Sequence, residues 1–487
     1  MQNTYSRAYQ KLNKEQQKAV DLIEGPVMVL AGPGTGKTQI LAMRIANILL
    51  KTDTNPSSIL ALTFTESGAS AMRKRLISLI GETAYQVNIQ TFHGFCNDVI
   101  QSNPEYFTAL SQGEALADLD RFEIFQQIFQ SLPLDVMRPI NAPLLYVKSA
   151  MSAIQDLKRE GVLPEKFSQL INREQAIFEQ EKEDMKKTAR AKKEKMLAKN
   201  QELLQIYVAY QKKIADEQKF DFEDMITLTV EAFEKNEILL TEYQEKLQYF
   251  LIDEYQDTNS AQNKVISLLS SYWGAQANVF VVGDPNQSIY RFQGASLENT
   301  FSFLENFPQA EVISLLKNYR STQTILNAAS SLIQKSAPVD KMSQLAHLQT
   351  VLQSHKSFGK PIQYIEADTD AIEQLFIAEK ISQLLKQGVE AKEIAVIVRH
   401  NKDVPKIAES LFNWGVPTEV EGGSDILTDP IIDQIISLFR VILNLRTGEQ
   451  DVNVFTVMNY LWLDLPSLIV LKISRFAGSR RIGVGFE

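Results

Sequence analysis

One stretch, Val27-Met28-Val29-Leu30-Ala31-Gly32-Pro33-Gly34-Thr35-Gly36-Lys37-Thr38, constrains the fold more than any other. Its apolar start reads as a short buried strand, its centre as a glycine-rich turn, and Thr38 to Leu50 as an amphipathic helix. Gly34 and Gly36 let backbone N–H groups wrap a phosphate at the helix N-terminus, where the helix adds partial positive charge. In such a loop the lysine, here Lys37, bridges the β- and γ-phosphates, and the hydroxyl of Thr38 ligates Mg²⁺. Ala31 stands where the general pattern has its first glycine.

The rest of the chain repeats the strand–helix alternation. Ile59 to Phe64 reads as a second strand followed by a helix over Ser67 to Ile80, and strand patterns return at Tyr249 to Ile252 and Val279 to Val282. Alternation of this kind implies an α/β fold with a parallel sheet. With 487 residues the chain is too long for one core. Residues 1–104 and 221–310 read as one sheet domain, interrupted by a polar helical insertion over 105–220. A further α/β unit begins at 311 and runs to 425, with a buried-strand run at Glu393 to Val398. Helical texture over 426–487 reads as the start of a second insertion, and Ile431 to Leu445 as a helix with one buried face that is too short to span a bilayer.

Composition narrows the chemistry. The net charge of −9 argues against coating nucleic acid by bulk charge, while leaving room for a local basic groove. Cys96 is the sole cysteine, and the four histidines lack metal-ligand spacing, which excludes zinc knuckles and disulfide frameworks. A reducing, cytoplasmic setting without membrane contact is expected. The lysine-rich run Lys182 to Lys199 alternates charge and reads as a solvated helix face rather than a duplex contact.

A second element of the phosphate chemistry lies at Phe250-Leu251-Ile252-Asp253-Glu254. A strand ending in two carboxylates places Asp253 to hold Mg²⁺ and Glu254 to polarise an attacking water as general base.

Continued as Asp253-Glu254-Tyr255-Gln256-Asp257-Thr258, this segment resembles the Asp-Glu-x-Gln-Asp signature of superfamily 1A DNA helicases of the UvrD, Rep and PcrA type. Other motifs follow in the family's order: Leu12 to Gln16, Thr63 to Glu66, Thr91 to Phe95, Val282 to Tyr290 and Leu316 to Ser321. The resemblance implies RecA-like phosphate-loop domains with helical insertions, ATP and Mg²⁺ as cofactors, and 3′-to-5′ movement on single-stranded DNA or single-strand/duplex junctions. Accessory repair or recombination proteins are implied as partners. By the same resemblance Gln16 reads the adenine edge, Tyr319 stacks on adenine, and Gln287 senses the γ-phosphate. Arg320 acts as an arginine finger. Residues 31–38 and Gln39 complete the nucleotide site. Thr63 and Thr91 contact phosphates, while Phe64, Phe92, His93, Tyr290 and Phe292 stack on bases; Phe92 and Phe95 read equally well as core.

Some positions depart from the family. Gln39 stands where an arginine commonly packs over adenine, Gln293 where motif III carries arginine, and Glu66-Ser67 where Asn-Lys is common. These changes resemble the RecB and AddA helicase–nuclease branch. After Gly423 nothing resembles motifs V and VI, so a chain truncated before them is expected. The alternatives are the motor part of a helicase–nuclease and a nucleotide-dependent single-strand-binding fragment without turnover.

Overall fold

A computed structural model describes residues 2–107, 113–287, 298–336, 351–356, 359–420, 430–447 and 453–480. The chain divides into two compact units, Met1–Ile362 and Gln363–Glu487.

The first unit is built on a six-stranded sheet. Its strands are β1 (Val27–Ala31), β2 (Ile59–Thr63), β3 (Asn88–Thr91), β6 (Tyr249–Ile252), β7 (Asn278–Gly283) and β8 (Glu311–Leu315), in the order β3-β2-β6-β7-β1-β8. Every pairing is parallel. β1, β2 and β6 are buried at every residue, as a sheet covered on both faces requires, which explains why these strands are continuous apolar runs in sequence. One face packs against the helices Lys37–Lys51 and Glu66–Ile80, the other against Phe92–Ser102 and Ser260–Ser270. Because the strands are parallel, the segments leaving β1, β6 and β7 emerge at the same edge, where open α/β sheets bind ligands.

Two expectations change here. Glu311–Leu315, read as the opening of a separate α/β unit, pairs with β1 in register Val27↔Glu311 to Ala31↔Leu315 and completes the first sheet. The run Glu393 to Val398 forms no strand: a 3₁₀ turn covers Ala391–Glu393, and Ile397 is 91% exposed. An apolar run needs a ladder partner to become a strand, and none pairs with it among the described residues.

The helical insertion has its own core, in which Phe125, Phe129, Tyr207 and Tyr210 are buried. Near its two ends lie the two-residue strands β4 (Glu114–Ala115) and β5 (Lys219–Phe220), which pair with each other in parallel. Beside them Lys158 is fully buried and donates to Asp221 and Asp224 at 2.5 and 2.7 Å, while Tyr210 donates to Asp221 at 3.0 Å. The lysine-rich run lies at the end of one helix and along Lys187–Asp216, where Arg190 pairs with Glu194 and Lys193 with Glu174. It is a solvated, charge-alternating face.

Two further short strands, β9 (Lys317–Asn318) and β10 (Gln353–Ser354), pair in parallel at the end of the first unit. The second unit holds the helices Asp370–Lys386 and Val404–Asn413, packed through Ala378, Ile381, Leu411 and Val416. The expected helix near Ile431 spans Pro430–Thr447, but of its described side chains Val441 is buried while Ile431, Phe439 and Leu443 are mostly exposed. No helix among the described residues is long and apolar enough to cross a membrane.

Replacing Lys158 by Met leaves two buried carboxylates without their cation, a change that typically costs about 3–5 kcal/mol. Thermal unfolding should show that loss, and Lys158→Met combined with Asp221→Asn and Asp224→Asn should recover part of it; a neutral single variant would contradict the account.

Candidate functional site

The glycine-rich loop leaves β1 at Ala31 and enters the helix Lys37–Lys51. Gly34 and Gly36 adopt φ of +70° and +91°, the left-handed region that side chains disfavour. The loop is braced from within: Thr35, fully buried, donates its hydroxyl to the Gly32 carbonyl at 2.7 Å. It is braced from outside by Gln16, whose Nε2 donates to the Thr35 carbonyl at 2.9 Å. Gln16 Oε1 accepts from the Asn13 N–H at 3.0 Å, closing a capping box at the start of the helix Lys14–Asp21. Both ends of the Gln16 amide, assigned by sequence to an adenine edge, are thus engaged with protein and the residue is buried.

Residues 317–321 fold onto the same loop. The side chain of Asn318, fully buried, donates to the Pro33 carbonyl and accepts from the N–H groups of Arg320 and Ser321 at 2.9 and 2.7 Å. The Tyr319 N–H donates to the Gly34 carbonyl at 2.8 Å, and its hydroxyl accepts from Asn13 Nδ2 at 3.1 Å. A Cβ placed on Gly34 would lie 2.5 Å from Arg320 Cβ. Tyr319 and Arg320 thus lie against the loop. Asn318, which holds them there, was not singled out in the sequence, although it sits inside a quoted motif.

The acidic pair stands at the tip of β6. Lys37 Nζ forms an ion pair with Glu254 Oε2, and Glu254 itself takes φ +49°. Its N–H donates to Asp253 Oδ1 at 3.0 Å. Burial, then the charge of Glu254, push the Asp253 carboxyl up to about 6, against the pull of Lys37. Gln256 donates to Glu254 Oε2 at 2.9 Å and to Asp257 Oδ2 at 3.1 Å, and accepts from the Asp284 N–H at 2.9 Å. Asp284 in turn accepts from Gln287 Nε2 at 2.7 Å. Lys37, Asp253, Glu254 and Gln287 are thus joined through one network. Thr38 lies in the first turn of the helix that begins at Lys37, and Gln39 follows it.

The expected nucleic-acid residues gather around a cavity between sheet and insertion, lined by Phe64, Thr91, His93, Arg159, Phe222 and Asp257 among others. His93 stacks on Phe222 with ring centroids 3.7 Å apart at 22°. Burial, then the charge of Arg159, lower His93 to about 4, so its imidazole is neutral at pH 7. Thr63 and Thr91 are buried, their hydroxyls donating to the Thr65 carbonyl and to Glu66 Oε1. Phe92 is 2% exposed and belongs to the core with Phe95, the alternative that its sequence left open. Phe222 and Arg159 carried no sequence signal, because contacts distant in sequence, with His93 and Glu223, bring them to this edge. Tyr290, Phe292 and Gln293 lie outside the described residues.

A parallel sheet whose first strand ends in a glycine-rich loop, with an acidic pair at the tip of a strand one removed from it, defines a RecA-like α/β protein. The chain belongs to the UvrD/REP helicase family: the UvrD/REP helicase N-terminal domain matches residues 12–308, and the UvrD-like helicase C-terminal domain residues 313–453. It is 31% identical over 473 residues to a protein from Staphylococcus epidermidis named ATP-dependent DNA helicase PcrA, covering 97% of this chain and 59% of that one. A protein of the same name from Staphylococcus aureus is 30% identical over the same shares. The chain thus spans 59% of the length of these relatives. With a C-terminal family domain present over 313–453, the expected truncation finds no support.

Two outcomes test this geometry. Gly34→Ala should displace residues 317–321 and destabilise the unit by at least about 1–2 kcal/mol, read as a lower thermal midpoint and faster amide exchange at Tyr319; unchanged exchange would contradict the contact. For His93, the unfolded chain takes up a proton near pH 6.5 while the folded site resists until about 4. Stability should therefore fall as pH drops through that window, by about 3 kcal/mol at most. In His93→Gln that part of the loss should disappear.

Proposed function

We propose that this chain is an ATP-dependent DNA motor, a 3′-to-5′ translocase or helicase acting on single-stranded DNA and single-strand/duplex junctions. The observation that carries the reading is the convergence of Lys37, Asp253, Glu254 and the Asp284–Gln287 segment at one sheet edge, with Tyr319 and Arg320 on the same loop. The names of the staphylococcal relatives support it.

In this reading ATP lies along residues 31–38, with its phosphates on the N–H groups of the loop and on Lys37. Lys37 must leave Glu254 to reach them, so ATP entry frees the carboxylate that polarises the attacking water. Gln287 follows the γ-phosphate, and Arg320 offsets charge developing on the transferred group. Tyr319 packs on the base. Gln16 then acts through the Thr35 carbonyl, or reads adenine after releasing it.

The residues present suit Mg²⁺. Asp253 is a carboxylate that burial and the charge of Glu254 push up to about 6, and Thr38 offers a hydroxyl in the adjoining helix turn. One carboxylate and one hydroxyl suffice for an ion that keeps water and phosphate oxygens as its other ligands. No cluster of three or more acidic, histidine or cysteine side chains fit for a metal occurs among the described residues. When bound, the ion supplies neutralisation of phosphate charge.

Single-stranded DNA runs past the cavity, with bases against Phe64 and the His93–Phe222 stack. Stacking of this kind contributes roughly 1–3 kcal/mol per base and does not depend on sequence, which suits an acidic protein. We assign residues 1–104 and 221–315 to the first motor domain, since β8 completes its sheet, 105–220 to its insertion, 316–425 to the second motor domain and 426–487 to a further helical insertion. The protein works in the cytoplasm alongside repair or recombination proteins.

The test is ATP turnover with and without single-stranded DNA. The wild type should be stimulated by DNA, while Lys37→Ala and Glu254→Gln should each lose about 100-fold or more. Glu254→Gln should also bind ATP several-fold more tightly, since Lys37 is no longer held. DNA-stimulated turnover that survives Glu254→Gln would refute the assignment of the base.

A further inference from the structure

Gln256 is 3% exposed and sits where three polar elements meet. Its Nε2 serves two carboxylates at once, Glu254 Oε2 and Asp257 Oδ2, at 2.9 and 3.1 Å. Its Oε1 takes the Asp284 N–H at 2.9 Å, directly after β7. An amide satisfies this arrangement because it offers donors on one side and an acceptor on the other. Glutamate at 256 would place a third carboxylate among the first two, and methionine would fill the space without a hydrogen bond.

The surroundings are shaped to admit this side chain. A Cβ on Gly283 would lie 2.6 Å from Gln256 Oε1 and 3.2 Å from its backbone nitrogen, so the strand end leaves the amide its place by carrying glycine. On one side the amide touches Glu254, which holds Lys37. On another it fixes Asp284, which holds both the N–H and the side chain of Gln287. On the third it holds Asp257, a wall residue of the cavity beside His93 and Phe222, whose Oδ1 is buried without a hydrogen-bond partner. Lone buried carboxylate oxygens are costly and uncommon, which makes Asp257 responsive to any donor that enters the cavity.

We propose that Gln256 is a positioning residue that sets the orientation of Glu254 and ties it to the Gln287 segment and, through Asp257, to the cavity between sheet and insertion. This rests on the proposed ATP chemistry. Gln256 touches no reacting atom; it acts by holding the carboxylate whose other partner, Lys37, leaves when phosphate arrives.

A double-mutant cycle tests the proposal, using the full chain, ATP and single-stranded DNA, with Gln256→Met, Glu254→Gln and the pair. Gln256→Met should lower kcat about 10- to 100-fold, within the range that a general base contributes, while KM for ATP changes less than about threefold. In the Glu254→Gln background it should cause no further loss, because the group it positions is gone. An equal loss in both backgrounds, or a change confined to KM, would overturn the proposal and leave Gln256 a structural residue. If the wild type shows no DNA-stimulated turnover, it is the proposed function that fails. The same cycle read from thermal midpoints without nucleotide then decides the relay: non-additive shifts support it, and additive shifts overturn it.

Discussion

The close approach of residues 317–321 to the glycine-rich loop is the contact on which the candidate site depends. It exists because Gly34 carries no Cβ and because Asn318, fully buried, exchanges hydrogen bonds with both sides of the gap. β8 leads directly into this segment, and its pairing with β1 brings residue 316 to the end of the strand that opens the loop. Sheet order thus becomes site geometry. A different neighbour for β1 would leave Tyr319 and Arg320 elsewhere.

Around that contact the charges are arranged as shared rather than isolated pairs. Glu254 serves Lys37 and Gln256 together, Gln256 serves two carboxylates, and Asp284 serves Gln287. In the proposed cycle, moving Lys37 onto a phosphate leaves Glu254 with the Gln256 amide as its side-chain partner. Within a buried network such rearrangements are coupled, since an unpaired polar group costs about 1–3 kcal/mol. The strained backbone of Glu254, φ +49°, lies at the member that changes partners in the proposed cycle. The insertion is anchored differently, by the buried Lys158 with Asp221 and Asp224, and this holds Phe222 against His93.

Much of this fold was legible in the residues themselves. β1, β2, β6 and β7 are apolar runs bounded by turns because both faces of a parallel sheet are covered, and the phosphate loop has a spacing set by backbone chemistry. The order of the strands was not legible. In Glu311–Leu315 only Ile313 and Leu315 are buried, as in an edge strand, and nothing local says which strand it joins. Glu393 to Val398 shows the reverse error, since an apolar run predicts burial but not a ladder partner. At the site, Lys37, Asp253 and Glu254 are singled out by their positions at strand ends and Gln287 by the family resemblance, and the structure gathers the four into one network. Gln256, Asn318, Phe222 and Arg159 could not be assigned roles, because each also has a contact distant in sequence: Asp284, Pro33, His93 and Glu223 respectively. Gln16 was readable as part of the site, while its bond to the Thr35 carbonyl was not.

The central claim is that the Lys37–Glu254 pair is the resting form of an ATP site. The most direct measurement is a structure of the protein with a non-hydrolysable ATP analogue and Mg²⁺. The account predicts phosphates on the N–H groups of residues 32–38, Lys37 turned from Glu254 onto them, and Glu254 facing the γ-phosphate. An analogue bound elsewhere, or a Lys37–Glu254 pair that stays intact with the loop occupied, would contradict it.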